Sequence, residues 1–280
     1  MTINFTKMVG SGNDFVMIDN RNNIFDATNK PLIQKLSSRI KGIGDDGIIL
    51  VETSKIADFK MRILNSDGSE AEMCGNGARC AAYFAYIQKI VGKIMKFETL
   101  AGIIEGEILD EAGTKNVKVK MINPHSVRDD VYLDLPDLGQ VQVCSINTGV
   151  PHAVIFVKNI RNVDIQEIGK FVRYNAAFMP SGTNVNFVKI KNENEIIVRT
   201  YERGVEAETL SCGSGSTASA IFSALQYSLK SPIIVHTKSD EDLTIHFKKA
   251  GQEITDVYLE GLVEIVFEGN FNISGGEKNV

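Results

Sequence analysis

The sequence predicts an α/β protein, α+β in detail, made of two pseudo-symmetric halves, each a mostly antiparallel sheet wrapped around one central helix. The stretch CGNGARC at 74–80 returns as CGSGSTA at 212–218, and Cys212 lies 138 residues after Cys74, about half of the 280-residue chain. Other landmarks return in the same order. GDDGIIL from Gly44 falls on GTNVNFV from Gly182 at that spacing, and SGNDFVMI from Ser11 falls on TGVPHAVI from Thr148 at a spacing of 137. The segment opening DFKMRILN at Asp58 falls on NEIIVRTYERG at Asn194 with little slippage. A fixed long period of this kind marks a duplicated half-molecule.

Taken in order, FVMID, GIILVE, KMRILN and KVKMI are short β-rich runs divided by Gly, Asn and Asp turns, which predicts strands. After each cysteine turn, ARCAAYFAYIQKI and STASAIFSALQYSL carry small and apolar residues around most of a helical surface. Such all-round apolarity belongs to a helix buried within a sheet. Symmetry puts the boundary near residue 119, giving halves of 1–119 and 120–280, with the last ~12 residues free to pack back on the first half. No Pro- or Ser-rich linker marks it, and the tail ISGGEKNV is expected to fray.

Composition narrows the functions. Hydrophobic content of 43% and charged content of 23% are ordinary for a globular protein. A net charge of −5 without a basic block argues against nucleic-acid binding, which needs clustered Lys and Arg. No run approaches the ~18 apolar residues of a membrane span, and MTINFTKMVG lacks the pattern of a signal peptide. The expectation is a cytoplasmic enzyme with a small, polar substrate and no membrane partner. Cys74, Cys80, Cys144 and Cys212 show neither a CxxC pair nor a metal-ligand spacing, so free thiols and no metal are expected.

A cysteine at the start of a helix has specific chemistry. The first N–H groups of a helix lack internal partners, and the dipole adds positive potential, so an anion or a thiolate is favoured there. Free Cys titrates near ~8.5, and this position is expected to lower it toward a working base. The Gly residues that follow allow close approach of a ligand to the backbone. If two such halves face each other, one sulfur can remove a proton from one face of a carbon while the other delivers one to the opposite face. That chemistry is a racemase or epimerase needing no pyridoxal cofactor, with charge held by preorganised donors.

At this point the sequence resembles the diaminopimelate epimerase family. KMVGSGNDFVMID, GIGDDGIILVE, MRILNSDGSEAEMCGNGARC, TGVPHAV, GTNVNFV and YERGVEAETLSCGSG occur in family order over nearly the whole chain. The resemblance implies cofactor-free interconversion of LL- and meso-diaminopimelate for lysine and peptidoglycan synthesis, commonly by a homodimer. It implies Cys74 and Cys212 as the two bases, and Gly75 with Asn76 and Gly213 with Ser214 as the cradle of the reacting carboxylate. Asn13, Asn65, Asn184, Glu202 and Arg203 match positions that grip the rest of the substrate, and His152 and Glu202 match positions that tune the cysteines. The chain departs from the family pattern at Val150, where Asn is common, at Gly47 in place of Gln, and at Ser181 in place of Glu. One extra residue lies between Arg203 and Cys212.

Plainer readings stand beside these. Cys80 and Cys144 read as small buried hydrophobes. Asn13 and Asn65 read equally well as turn residues. From spacing alone His152 is a core histidine. Glu202 and Arg203 are adjacent, so on a strand at most one of the two side chains reaches a pocket. Proline and histidine racemases share the two-cysteine plan and remain the alternative activity. A redox-responsive amino-acid-binding module with a switch disulfide is the alternative outside enzymes.

Overall fold

The computed structural model describes residues 2–109 and 113–273. The chain begins with β1 (Thr2–Gly10), β2 (Asn13–Asp19), α1 (Lys30–Ser37), β3 (Gly47–Glu52), β4 (Phe59–Asn65), β5 (Glu70–Ala71), α2 (Gly75–Ile87), β6 (Ile94–Thr99), β7 (Gly102–Ile108) and β8 (Asn116–Lys120). It continues with β9 (His125–Leu135), β10 (Gly139–Asn147), β11 (Pro151–Phe156), α3 (Ile165–Arg173), β12 (Asn184–Ile190), β13 (Glu195–Glu202), β14 (Ala207–Thr209), α4 (Gly213–Gln226), β15 (Ile233–His236), β16 (Asp242–Ala250), β17 (Glu253–Leu262) and β18 (Glu264–Asn272). No helix among the described residues is long and apolar enough to cross a membrane.

Two compact units result, one of residues 2–119 with 262–273 and one of residues 120–261. In the first, β1 is flanked by β18 and β2, both antiparallel. β2 and β3 are parallel, joined through α1, and β3 pairs antiparallel with β4. β5 folds back on β4, α2 carries the chain to β6 parallel to β4, and β7 and β8 follow antiparallel. The second unit repeats each step: β9, β10 and β11 are antiparallel, α3 joins parallel β11 and β12, and β12 pairs antiparallel with β13. β14 folds back on β13, α4 leads to parallel β15, and β16 and β17 follow antiparallel. β18 thus stands to β1 as β9 stands to β10. The tail beyond residue 273 lies outside the described residues.

Each sheet wraps its central helix. α2 packs on β1, β2, β3, β4 and β7, and α4 packs on β10, β11, β12, β13, β15 and β16. Small side chains permit this enclosure, since Ala78, Ala81, Ala82 and Ala85 of α2 and Ala218, Ala220 and Ala224 of α4 are fully buried. The buried hydroxyls of α4 are satisfied within the helix: Thr217 donates to the Gly213 carbonyl at 2.9 Å, Ser219 to Gly215 at 2.7 Å and Ser223 to Ser219 at 2.8 Å. Back-bonding to i−4 lets Ser and Thr sit in a helix interior without an orphaned group.

The sequence reading found one helix per half, and the structure adds α1 and α3 on the other face of each sheet. α1 buries Ile33 and Leu36 in a cluster with Ile3, Val16, Ile18, Phe25, Ile48 and Leu50. α3 buries Ile165, Ile168 and Val172 against Val185, Phe187 and Tyr201. Its i, i+3, i+7 spacing is amphipathic, and Asp164 caps it by accepting from the Glu167 N–H at 2.9 Å, so a signal was present. Gly169 lets α3 lie on Tyr201, whose Cβ would be 2.6 Å from any Cβ placed there. Cover on both faces explains why β2 and β3 are continuous apolar runs rather than alternating ones.

Candidate active site

Cys74 and Cys212 occupy the same place in the two halves, each as the N-cap of the central helix with extended backbone (φ −139°, ψ 122° and φ −129°, ψ 109°). Neither sulfur caps its helix. The backbone carbonyls begin the helices instead, accepting from the Ala78 and Ser216 N–H groups at 2.8 Å each. The N–H groups of Gly75, Asn76, Gly213 and Ser214 open each helix, where an anion is favoured.

The second glycine of each turn serves packing, contrary to the expectation that both face a ligand. A Cβ on Gly77 would stand 2.9 Å from Ile49 Cδ1, and one on Gly215 would stand 2.2 Å from Asn186 Oδ1. Gly77 and Gly215 are there so that the helix can press on its sheet. Cys80 and Cys144 are buried, and burial pushes the Cys144 thiol up to about 12 despite a hydrogen bond from Gln226.

In the first half the structure brings Asn13 and Asn76 together, the Asn76 amide donating to Asn13 Oδ1 at 2.8 Å. Arg79, fully buried one turn along α2, donates to Asn76 Oδ1 at 3.1 Å and to Ser11 Oγ at 2.7 Å. Asn13 in turn donates to Asp46 at 3.0 Å, and Arg39 binds both Asp46 and Asp14 at 2.7 Å. Lys7 pairs with Asp14 at 2.5 Å and donates to the Gly44 carbonyl. Asn65 is turned onto Ser69 Oγ at 2.9 Å and stands opposite Gly47 in the sheet. Any Cβ at Gly47 would meet the Leu64 carbonyl oxygen at 3.0 Å, which restricts what that position holds.

Beside this network lies Asp45, only 3% exposed, with neither carboxylate oxygen hydrogen-bonded among the described residues. Burial pushes its carboxyl up to about 6, with Ser37 and Lys7 pulling down and Asp14 and Asp46 pushing further up. A raised acid is proton-bound more tightly in the folded state, so its contribution is full below the unfolded value and lost as pH rises through about 6. Asp45→Asn is therefore expected to stabilise the protein at pH 8 by roughly 3 kcal/mol, and by about 1 kcal/mol less at pH 5. Urea unfolding at both pH values checks this, and equal effects at the two would refute it.

In the second half His152, Ser214 and Cys212 form a line. Ser214 Oγ lies 2.9 Å from His152 Nε2 and 3.6 Å from Cys212 Sγ, and Thr148 donates to the Ser214 carbonyl at 2.9 Å. His152 is wholly buried, and burial, with the Arg203 charge acting the same way, pushes its imidazole down to about 3. The ring is neutral. It is thus both a core histidine and a neighbour of the cysteine turn.

Burial raises the Cys212 thiol well above its ordinary value, and the Glu202 carboxylate adds to this, outweighing Ser214 and the Gly215 N–H, which lower it. The helix start was expected to win. It loses because leaving water and meeting an anion cost a thiolate more than the first N–H groups of the helix return.

Glu202 also accepts from Thr209 Oγ1 at 2.8 Å. Arg203 donates its backbone N–H to Asn184 Oδ1 at 2.8 Å and its guanidinium to the Ser181 carbonyl at 2.9 Å, a contact that does not depend on the side chain at 181. β13 ends at Glu202, so the rule of opposite faces stops applying to Arg203, and the charge of Glu202 is felt at Cys212 while that of Arg203 is felt at His152. Asn184 stands opposite His152 in the parallel pair and donates to the Pro151 carbonyl at 3.1 Å. Sequence reading missed Ser11, Arg79, Thr148 and Asn186. Asn186 had a signal, as a buried amide in the otherwise apolar run VNFV.

The fold is shared with solved structures of low sequence identity. A Bacillus anthracis phenazine biosynthesis protein of the PhzF family superposes with a TM-score of 0.77 at 16% identity, covering 98% of this chain and 100% of that one. A probable proline racemase from Agrobacterium radiobacter superposes with a TM-score of 0.70 at 14% identity, covering 99% of this chain and 94% of that one. A helix-cored half made twice, with a cysteine heading each core helix, defines an enzyme of the isomerase class. The family profile named Diaminopimelate epimerase matches residues 5–127 and 144–266. The diaminopimelate epimerase of Aquifex aeolicus is 44% identical over 278 residues, covering 96% of this chain and 97% of that one. That of Caldanaerobacter subterraneus is 43% identical over 282 residues, covering 96% and 99%. The chain belongs to the diaminopimelate epimerase family.

Proposed function

We propose that this enzyme interconverts LL- and meso-diaminopimelate, for lysine and peptidoglycan synthesis, with Cys74 and Cys212 as two bases and without pyridoxal phosphate or metal. The observation that carries the reading is the like placement of the two cysteines at the heads of α2 and α4, in a chain of this family. One sulfur, as thiolate, takes the α-proton, and the other, as thiol, gives its proton to the opposite face. The carbon leaves inverted and the sulfurs leave with protonation states exchanged. Burial and the Glu202 charge favour the thiol form of Cys212, which suits it to give its proton.

The N–H groups at Gly75, Asn76, Gly213 and Ser214 hold the carboxylate and take up the charge that spreads onto it as the α-proton leaves. Asn13, Asn65, Asn184 and Arg203 hold the remainder of the substrate, Arg203 as a carboxylate fork. Glu202 and His152 act on Cys212 rather than on substrate. The reading extends to a cytoplasmic homodimer, supported by the family resemblance alone.

The test is proton NMR of the reduced protein with LL-diaminopimelate in D₂O, with neither pyridoxal phosphate nor metal added. Loss of the α-proton signal with appearance of the meso isomer is expected. No exchange from folded protein with reduced thiols would overturn the substrate assignment and send the search to proline and histidine, since Val150 replaces an amide common in the family.

A further inference from the structure

We propose that Asn186 is a positioning residue that fixes the tautomer of His152 and, through it, makes the Ser214 hydroxyl a hydrogen-bond donor toward Cys212. The proposal rests on the reading of Cys212 as one of the two bases. The geometry begins at a group whose polarity is not in question. Asn186 Nδ2 lies 2.9 Å from the Ala153 carbonyl oxygen, which can only accept, while Asn186 Oδ1 takes the Thr200 hydroxyl at 3.0 Å. Turning the amide over would set two acceptors against each other. The close approach of Gly215, where a Cβ would be 2.2 Å from Oδ1, leaves the amide no room to swing aside.

The second N–H of the same Nδ2 is then aimed at His152 Nδ1, 3.1 Å away. A nitrogen that accepts carries no proton, and the ring is neutral, so the imidazole proton sits on Nε2. Nε2–H donates to Ser214 Oγ at 2.9 Å. Having accepted there, the hydroxyl has its own hydrogen to give, and Cys212 Sγ is 3.6 Å away. Donation thus runs one way from the Asn186 amide, which the Ala153 carbonyl of β11 orients, through His152 and Ser214 to the sulfur. Such a donor favours the thiolate over the thiol, against the burial and the Glu202 charge that favour the thiol. The first half has no counterpart: the repeat puts Phe15 where His152 stands and Ile48 where Asn186 stands, so the relay serves Cys212 only.

The test has two readouts that do not need diaminopimelate. In full-length protein with ¹⁵N-labelled histidine, His152 is expected to show a bare, pyridine-type Nδ1 and a protonated, pyrrole-type Nε2 at neutral pH. A protonated Nδ1 in the wild-type protein overturns the proposal, whether or not Asn186 variants fold. Asn186→Asp offers Nδ1 an acceptor and should move the proton there. In a Cys74→Ala background that change is expected to slow alkylation of Cys212 by iodoacetamide at pH 8 by about 10-fold, the effect of one unit in the thiol.

Ser214→Ala should slow alkylation comparably with the tautomer unchanged, and Asn186→Asp should then add little to it. Fully additive effects would mean that the two residues act separately, and would overturn the relay. With substrate, Asn186→Asp is expected to lower kcat on the order of 100-fold with KM much less affected. Failure of diaminopimelate turnover in the wild-type protein would refute the substrate assignment alone, because the tautomer and alkylation readouts stand without it.

Discussion

Cys74→Ser and Cys212→Ser are each expected to reduce epimerisation by at least about 1,000-fold while leaving the protein folded. General acid–base groups contribute about 10²–10⁴-fold each, and an alcohol oxygen is far too weakly acidic to rest as the anion that a thiol can supply. The fold should survive because neither sulfur closes a disulfide or caps a helix, and serine is a favourable N-cap residue. Circular dichroism of both variants, with α-proton exchange and stereochemistry followed by NMR, checks the prediction. A Cys74→Ser protein with substantial epimerase activity would sink the two-base proposal.

Arg79→Met is expected to cost roughly 3 kcal/mol of stability and to raise KM. Methionine keeps most of the volume but removes a guanidinium that is wholly buried among Ser11, Asn76 and the Gly75 carbonyl. Buried polar partners left without a donor cost about 1–3 kcal/mol each, which sets the magnitude. The KM effect follows because Asn76 Oδ1 is held by Arg79 while its amide holds Asn13, so the two residues proposed to hold the substrate lose their support together. Denaturant melts and steady-state kinetics on one preparation separate the two effects. A variant that lost stability with KM unchanged would show that Arg79 supports the helix and not the site.

Much of this was legible in the chain. A duplication is written locally, and the same turn, strand and helix signals recur at the same offset whatever surrounds them. FVMID, GIILVE and KMRILN became β2, β3 and β4, and each cysteine turn became the N-cap of a buried helix. Less legible were α1 and α3, whose signals were overshadowed by the stronger repeat. The chain suggested only that its last ~12 residues could pack back on the first half; the pairing of β18 with β1 was not legible, because antiparallel partners more than 250 residues apart share no local pattern.

The site divides in the same way. Which residues are present at the helix heads, and that each half supplies one cysteine, the sequence by itself determined. Tertiary structure alone decided how they behave: that Cys212 is a thiol raised by burial and Glu202, that His152 is neutral, and that Gly77 and Gly215 serve packing. The reason is physical. A turn or helix start depends on neighbours along the chain, whereas ionisation and hydrogen-bond polarity depend on desolvation and on partners such as Asn186, Glu202 and Thr200 that only folding brings together.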